Sequence, residues 1–449
     1  MARLFGTDGV RGIAGSAELS PELALRLGHA AAALAVARTG RRPRAVVGRD
    51  PRRSGTMLEA ALTAGICAAG GDVVHLGVVT TPAVALLTKL SGADLGVMIS
   101  ASHNPAEYNG IKFFSGDGYK LPDAEEDRLA ELALGPADLD DRPTGSGVGT
   151  VSQAQELVER YLAHLAATGA PLHGMRLVVD CGHGAAYQLS PEVLRRLGAE
   201  VITINVEPDG MNINDGCGST DPAALQRAVL HYAADAGIAH DGDADRCIAV
   251  DELGEVVDGD QIMAICARDL HSRGLLRQGT LVVTVMSNLG LTLAMQAAGI
   301  KLVSTRVGDR YVLEAMLKDG YNLGGEQSGH VIFLDHNTTG DGILTAVQLL
   351  SVAARSGKPL SELAGAMRRL PQVLENVQVR DKHGWEQNAA IAAAVAQAEA
   401  MLGGMGRVLV RASGTEPLIR VMLEGPDPTE LQRLAGSIRD VVVAELSHG

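Results

Sequence analysis

Three stretches of this chain repeat one pattern, and the repetition limits the possible folds more than any other feature of the sequence. Each opens with a run of apolar, largely β-branched residues, passes a turn and continues into an amphipathic helix. In the first, Ala45 to Asp50 (AVVGRD) and Asp94 to Ser100 (DLGVMIS) read as strands, with a helical stretch from Gly55 to Ala69 between them. The second runs RLVVDCGHGAA (Arg176 to Ala186), then helix-like PEVLRRLGAE, then the strand VITINV. The third runs LVVTVMSN (Leu281 to Asn288), LTLAMQAAG and KLVSTRV. Strands alternating with helices bury their apolar faces by layering helices on sheets, so an α/β protein with three similar units is expected.

With 449 residues there is room for a fourth unit. The segment DLDDRPTGSGVGT (Asp138 to Thr150) is a Pro/Gly/Asp linker, the turn at Glu252 to Gly254 is a second break, and Pro371 a third. These breaks divide the chain into 1–150, 151–254, 255–370 and a smaller α+β piece, 371–449. No apolar run approaches the ~20 residues of a membrane helix, and the first residues lack a secretory pattern, so a cytoplasmic, soluble protein is expected. Net charge is −14, which argues against a general nucleic-acid surface. Five cysteines without a CxxC pair fit reduced thiols and no zinc site.

Four loops carry chemistry. In the loop DGDADR, Asp241, Asp243 and Asp245 lie at every second position in a turn between the short apolar strands GIAH and CIAV. In an extended segment all three would point the same way and converge on one cation. A solvated acidic turn is the alternative. An EF-hand is excluded, because the sixth position is Arg246 rather than glycine and a strand follows. In ISASHNPAEY, Ser102 and His103 follow a strand at the carboxyl edge of a sheet, where open α/β sheets bind ligands. Helix capping would use the same residue types. Lys112, downstream, is a compact phosphate-seeking cation, and Arg11 is placed in a glycine-bordered loop within FGTDGVRG. GGEQSGH offers Glu326 and Ser328 as hydrogen-bond partners and His330 as a proton carrier or as a structural histidine. In RASGTEPLIR, between two apparent strands, Ser413, Gly414 and Thr415 expose amides while Arg411 and Arg420 flank them; the pattern suits a phosphate or a plain hairpin turn.

The four motifs, in this order across the whole chain, resemble those of the α-D-phosphohexomutase superfamily, and most closely its bacterial phosphoglucosamine mutase branch. The branch-like segments are LFGTDGVRG, ISASHNPAEYNGIKFF, PDGMNINDGCGST (Pro208 to Thr220) and GEQSGH. The resemblance implies three α/β domains with mixed sheets plus a smaller C-terminal domain around a central cleft. It further implies that Ser102 is a phosphoserine and that Asp241, Asp243, Asp245 and the phosphoserine oxygen hold one magnesium ion per subunit. Arg11, His103, Lys112 and Arg246 would surround the transferring group. Glu326 and Ser328 would read sugar hydroxyls, and Arg411, Ser413, Gly414, Thr415 and Arg420 would grip the second phosphate. The implied reaction interconverts glucosamine 6-phosphate and glucosamine 1-phosphate through glucosamine 1,6-bisphosphate, on the way to UDP-N-acetylglucosamine and cell-wall precursors. His330 and Lys112 remain alternatives for the proton carrier. Ser102 would need priming by a kinase, by autophosphorylation or by a bisphosphate. Monomer and homodimer are both open. A phosphoglucomutase or phosphomannomutase of the same superfamily would share the serine, metal and phosphate loops and is the alternative reading.

Overall fold

A computed structural model of the chain describes residues 3–6, 8–135, 142–413 and 417–447. Four sheets follow one another along the chain. The first contains β1 (Val10–Ile13), β2 (Arg44–Arg49), β3 (Asp72–Val78), β4 (Leu95–Ile99), β5 (Tyr108–Ser115) and β6 (Val151–Gln153), in the order β1-β5-β4-β2-β3-β6. The second contains β7 (Arg176–Asp180), β8 (Glu200–Ile204), β9 (Ala236–Ala239), β10 (Ile248–Asp251) and β11 (Val256–Val257), in the order β11-β10-β9-β7-β8. The third contains β12 (Thr280–Thr284), β13 (Lys301–Thr305), β14 (Leu323–Gly325) and β15 (Val331–Phe333), in the order β13-β12-β14-β15. The last, β16 (Gln372–Gln378), β17 (Arg407–Ala412) and β18 (Leu418–Glu424), is wholly antiparallel with β18 in the middle.

The first three sheets share a plan that the repeated sequence pattern foreshadows. In each, one strand (β2, β7 or β12) pairs in parallel with the next strand on one side and the third on the other. The third strand (β4, β9 or β14) then pairs antiparallel with its successor. The central strands are apolar throughout because both faces are covered; all five residues of LGVMI in β4 and all five of TLVVT in β12 are buried. The direction of the sheet therefore reverses at the same place three times. The loops at those reversals are the serine loop, the acidic loop and the Glu326 loop.

Strand β6 begins after residue 150 and still belongs to the first sheet, and β11 follows the 252–254 turn yet completes the second. Compactness separates residues 1–286 with 300–366 from residues 287–299 with 367–449. The helix Leu289–Ala297, which lies between β12 and β13 in sequence, thus belongs with the C-terminal residues. Asn288 explains why: its Nδ2 donates to the Leu370 carbonyl at 3.0 Å, while the Leu289 amide donates to Glu424 at 3.1 Å.

Within the first unit, the helices Pro21–Thr39 and Gly55–Ala68 cross with their backbones in contact. The first is started by Ser20, whose side chain accepts from the Leu23 amide, with proline next in line, and is ended by Gly40 in a left-handed conformation. A Cβ at Gly65 would lie 2.0 Å from the Leu25 carbonyl oxygen, and one at Gly28 would lie 2.2 Å from that of Leu62. Only glycine fits at either position. Gly65→Val should therefore force the helices apart and destabilise this unit by about 1–3 kcal/mol or more, the usual cost of overpacking, read as a lower denaturation midpoint. An unchanged midpoint would contradict the close crossing.

Candidate active site

Ser102 caps no helix. It lies in the turn between β4 and β5, is 1% exposed, and has a left-handed backbone with φ of 54°. A serine held there costs on the order of 1–3 kcal/mol, so the surroundings must enforce the conformation. Its Oγ donates to Asp241 at 2.7 Å and lies 3.3 Å from Nδ1 of His103.

Asp241, Asp243 and Asp245 converge as expected, by a different route from the one expected. The loop is the expected turn, but extended alternation does not align the aspartates: the Ala244 amide donates to the Asp241 carbonyl, and Ala244 has φ of 54°. One carboxylate oxygen from each aspartate lies within 4.8 Å of the others, and all three side chains are buried. Asp243 Oδ2 accepts from Lys112 at 2.8 Å and from the Thr81 hydroxyl at 2.5 Å. Asp243 Oδ1 and Asp245 Oδ1 are buried without accepting a hydrogen bond. Burial, and then the neighbouring Asp245 and Asp243 charges, push the Asp241 carboxyl well above its ordinary value. Such crowding without compensation is costly. Two bare buried oxygens beside a third carboxylate form an oxygen-rich donor set that suits a hard divalent cation such as magnesium.

Cations surround the cluster. Lys112, on β5 and 2% exposed, reaches Asp243 at 2.8 Å and Asp8 at 2.7 Å. Burial opposes its charge, but these carboxylates hold it above the ordinary lysine value. Asp8 also accepts from Arg11 and, at 2.5 Å, from Lys120, which reaches on to Asp309 at 2.6 Å. Burial alone would raise the Asp8 carboxyl, yet Lys112, Lys120 and Arg11 keep it well below the usual range. His330 lies 3.5 Å from Asp245 through Nδ1 and 3.7 Å from Asp309 through Nε2. Burial would lower it, but Asp245 raises it to about 9. Burial followed by the Arg246 and Arg11 charges lowers His103 to about 4.

A cavity of about 570 Å³ opens onto this cluster, with Ser102, His103, Arg11, Arg246, Glu326 and His330 among its walls. Arg11 is not in a loop. It lies on β1, paired with Gly110 of β5, because the glycine-rich opening continues as an edge strand. The Nε atoms of Arg11 and Arg246 are buried and donate to nothing, leaving donor capacity at the cavity for an anion. Glu326 accepts from the Gly308 amide at 3.1 Å. Ser328 is exposed at the same turn and is not among the cavity walls.

The second unit holds its own cationic pair. Arg411 and Arg420 face each other across β17 and β18, and burial followed by the Arg420 charge lowers Arg411. Ser413 is 3% exposed, and its carbonyl accepts from Lys382 at 2.6 Å. Gly414 and Thr415 lie outside the described residues.

Sequence reasoning missed Asp8, Thr81, Lys120 and Asp309. Asp8 stands in plain view inside FGTDGVRG, but two of its three partners, Lys112 and Lys120, lie more than a hundred residues away.

Comparison with known proteins identifies the family. Four segments match phosphoglucomutase/phosphomannomutase signatures: alpha/beta/alpha domain I at residues 2–136, domain II at 159–254, domain III at 258–370 and the C-terminal domain at 374–441. The chain belongs to the phosphoglucomutase/phosphomannomutase family. A relative from Symbiobacterium thermophilum, named phosphoglucosamine mutase, is 68% identical over 446 residues, covering 99% of this chain and 100% of its own. Among solved structures, a phosphoglucomutase/phosphomannomutase family protein from Burkholderia thailandensis superposes with a TM-score of 0.81 at 25% identity, over 98% of this chain and 97% of its own. The N-acetylphosphoglucosamine mutase of Aspergillus fumigatus, solved with GlcNAc-6P and magnesium, has the same fold, with a TM-score of 0.67 at 20% identity over 98% of this chain and 96% of its own.

In this member of the family, Asp243→Asn removes one of three carboxylate charges and leaves Lys112 facing an amide. Magnesium affinity measured by calorimetry should fall at least about tenfold, given the weight of ligand charge in binding hard cations. Unaltered affinity would place the metal elsewhere.

Proposed function

We propose that this family member is a phosphoglucosamine mutase that interconverts glucosamine 6-phosphate and glucosamine 1-phosphate, with Ser102 as the phosphoryl carrier. Support comes chiefly from one contact: the Ser102 hydroxyl, buried and 2.7 Å from Asp241, sits inside a three-carboxylate cluster ringed by lysine and arginine. A full-length relative at 68% identity bearing that name favours the amino sugar.

Asp241, Asp243 and Asp245 would hold magnesium, with an oxygen of the phosphorylated serine as a further ligand. When bound, the ion supplies neutralisation of the charge on the phosphoryl oxygens. The protein's own groups do the rest. Arg11 and Arg246 bring donors to the equatorial oxygens, and Lys112 counters the charge of Asp243 and Asp8. Phosphoryl transfer depends mainly on such positioning and charge balance.

In the first half-reaction the bond from phosphorus to the Ser102 oxygen breaks and one to the free sugar hydroxyl forms. The hydroxyl proton leaves, and the released serine oxygen takes up a proton. The product is glucosamine 1,6-bisphosphate. After it turns around, Ser102 attacks the other phosphate and the isomer departs. His330 and Lys112 are the two candidates to carry the hydroxyl proton, and the carboxylates beside them favour their charged forms. Glu326, on the cavity wall, is the carboxylate assigned to sugar hydroxyls, with Ser328 two residues on in the same turn; an unpaired buried polar group disfavours a mismatched sugar. Within the C-terminal unit we assign phosphate binding to Arg411, Ser413, Gly414, Thr415 and Arg420. Initial phosphorylation of Ser102 falls to a kinase, to autophosphorylation or to the bisphosphate itself.

Phosphorus NMR of the purified protein with magnesium, trace sugar bisphosphate and competing glucosamine, glucose and mannose 6-phosphates should show glucosamine 1-phosphate forming first. Ser102→Ala should abolish all three products. A glucose or mannose product appearing first would reassign the substrate, and turnover by Ser102→Ala would end the carrier assignment.

A further inference from the structure

Arg52 is completely buried, with a side-chain exposure of 0%, and all five of its guanidinium donors are spent. Its Nε donates to Asp50 at 2.8 Å. The other four bonds go to backbone carbonyls of a single loop: Ser102 at 2.8 Å, Asn104 at 2.8 Å, Tyr108 at 3.0 Å, and Pro105. Asn214 approaches the same loop, its Nδ2 donating to the carbonyls of Ser102 at 3.0 Å and Asn104 at 3.3 Å. Asn214 comes from PDGMNINDGCGST, a segment to which the reaction itself gives no task.

The geometry points to Arg52 and Asn214 as a clamp that positions Ser102 for phosphoryl transfer. The proposal rests on Ser102 being the phosphoryl carrier. Three features connect the clamp to chemistry rather than to bulk stability. Ser102 has a left-handed φ of 54°, which a serine does not hold unaided, and the clamp grips its carbonyl from two sides. Asp50 extends the grip: it also accepts from the Ser100 hydroxyl at 2.6 Å, and that hydroxyl accepts from the Ser102 amide at 2.9 Å. Ser102 is thus held by both its amide and its carbonyl. Finally, the clamped carbonyl abuts the metal loop. A Cβ on Gly242 would lie 2.5 Å from the Ser102 carbonyl oxygen and 2.9 Å from Asn214 Nδ2. The clamp therefore fixes the serine against the loop that carries Asp241 and Asp243.

A lysine cannot replace Arg52, since three donors on one nitrogen cannot span four carbonyls and a carboxylate. Asn214 has φ of 60° and is only half buried, so glycine retains its backbone freely while deleting the donor, and aspartate retains its shape while turning an acceptor toward two carbonyls.

The test compares Asn214→Gly, Asn214→Asp and Arg52→Lys with wild type in steady-state mutase kinetics, alongside melting temperatures. If small displacements of a reacting group dominate, kcat falls about ten- to hundredfold while KM stays within about twofold, with Asn214→Asp worse than Asn214→Gly. The double variant Arg52→Lys/Asn214→Gly should lose less than the product of the single losses, because both donors serve the same two carbonyls. Normal kcat in folded Asn214→Gly overturns the clamp, and so does a loss of activity that merely tracks a lowered melting temperature. Should Arg52→Lys fail to fold, the two Asn214 variants decide. Ser102→Ala run in parallel separates this proposal from the one beneath it. If that variant turns over, the carrier assignment fails and takes the clamp with it; if it is inactive while Asn214→Gly is normal, the clamp alone fails.

Discussion

Three carboxylates crowded into a buried turn cannot persist without positive charge, and much of the first unit is arranged around that requirement. Lys112 enters from β5, and Thr81 from the start of a helix, to bond the same oxygen of Asp243. His330 comes from the third sheet to face Asp245, and Ser102 donates to Asp241. Two carboxylate oxygens still accept no hydrogen bond, and that residual demand is what a divalent cation meets. The same electrostatics explain the outer ring. Once Lys112 is drawn to Asp243, Asp8 is needed behind it, and Asp8 in turn gathers Arg11 and Lys120.

The repeated architecture explains how residues so far apart in sequence meet. Each of the first three sheets reverses direction between its third strand and the strand that follows, and the loop at each reversal emerges at the carboxyl end of a buried parallel strand, where ligands bind in open α/β sheets. One repeat puts Ser102 there, the second the aspartates, the third Glu326 and His330. A single topological device, used three times, brings Ser102, Asp245, Glu326 and His330 to one cavity.

The parts legible in the sequence were those whose signal is local. Buried parallel strands announce themselves as continuous apolar runs, which is why AVVGRD, DLGVMIS and LVVTVMSN mark strands, although the last overruns β12, which ends at Thr284, and short loops between strands betray DGDADR and GEQSGH. Two readings failed for local reasons as well. Arg11 was taken for a loop residue because glycines surround it, but pairing with β5 makes an edge strand of VRGI. The turn that holds the aspartates is legible, but extended alternation does not bring them together; a left-handed Ala244 does. What stayed hidden depends on distant partners: Asp8 with Lys120, Arg52 with the serine loop, Asn214 with Ser102. No spacing rule reveals a guanidinium that spends its donors on carbonyls some fifty residues away. The helix Leu289–Ala297 is legible as LTLAMQAAG, but its allegiance to the C-terminal residues is not, since Asn288 and Glu424 set it.

The central claim is that the phosphorylated Ser102 and the three aspartates share one cation. Phosphorus NMR of the phosphorylated protein during titration with manganese in place of magnesium reads that directly, because a paramagnetic ion broadens a phosphorus resonance only at close range. The account predicts that the phosphoserine signal broadens beyond detection at one equivalent of manganese and survives that addition in Asp243→Asn. A sharp, unmoved phosphoserine signal with manganese bound to the wild-type protein would contradict it.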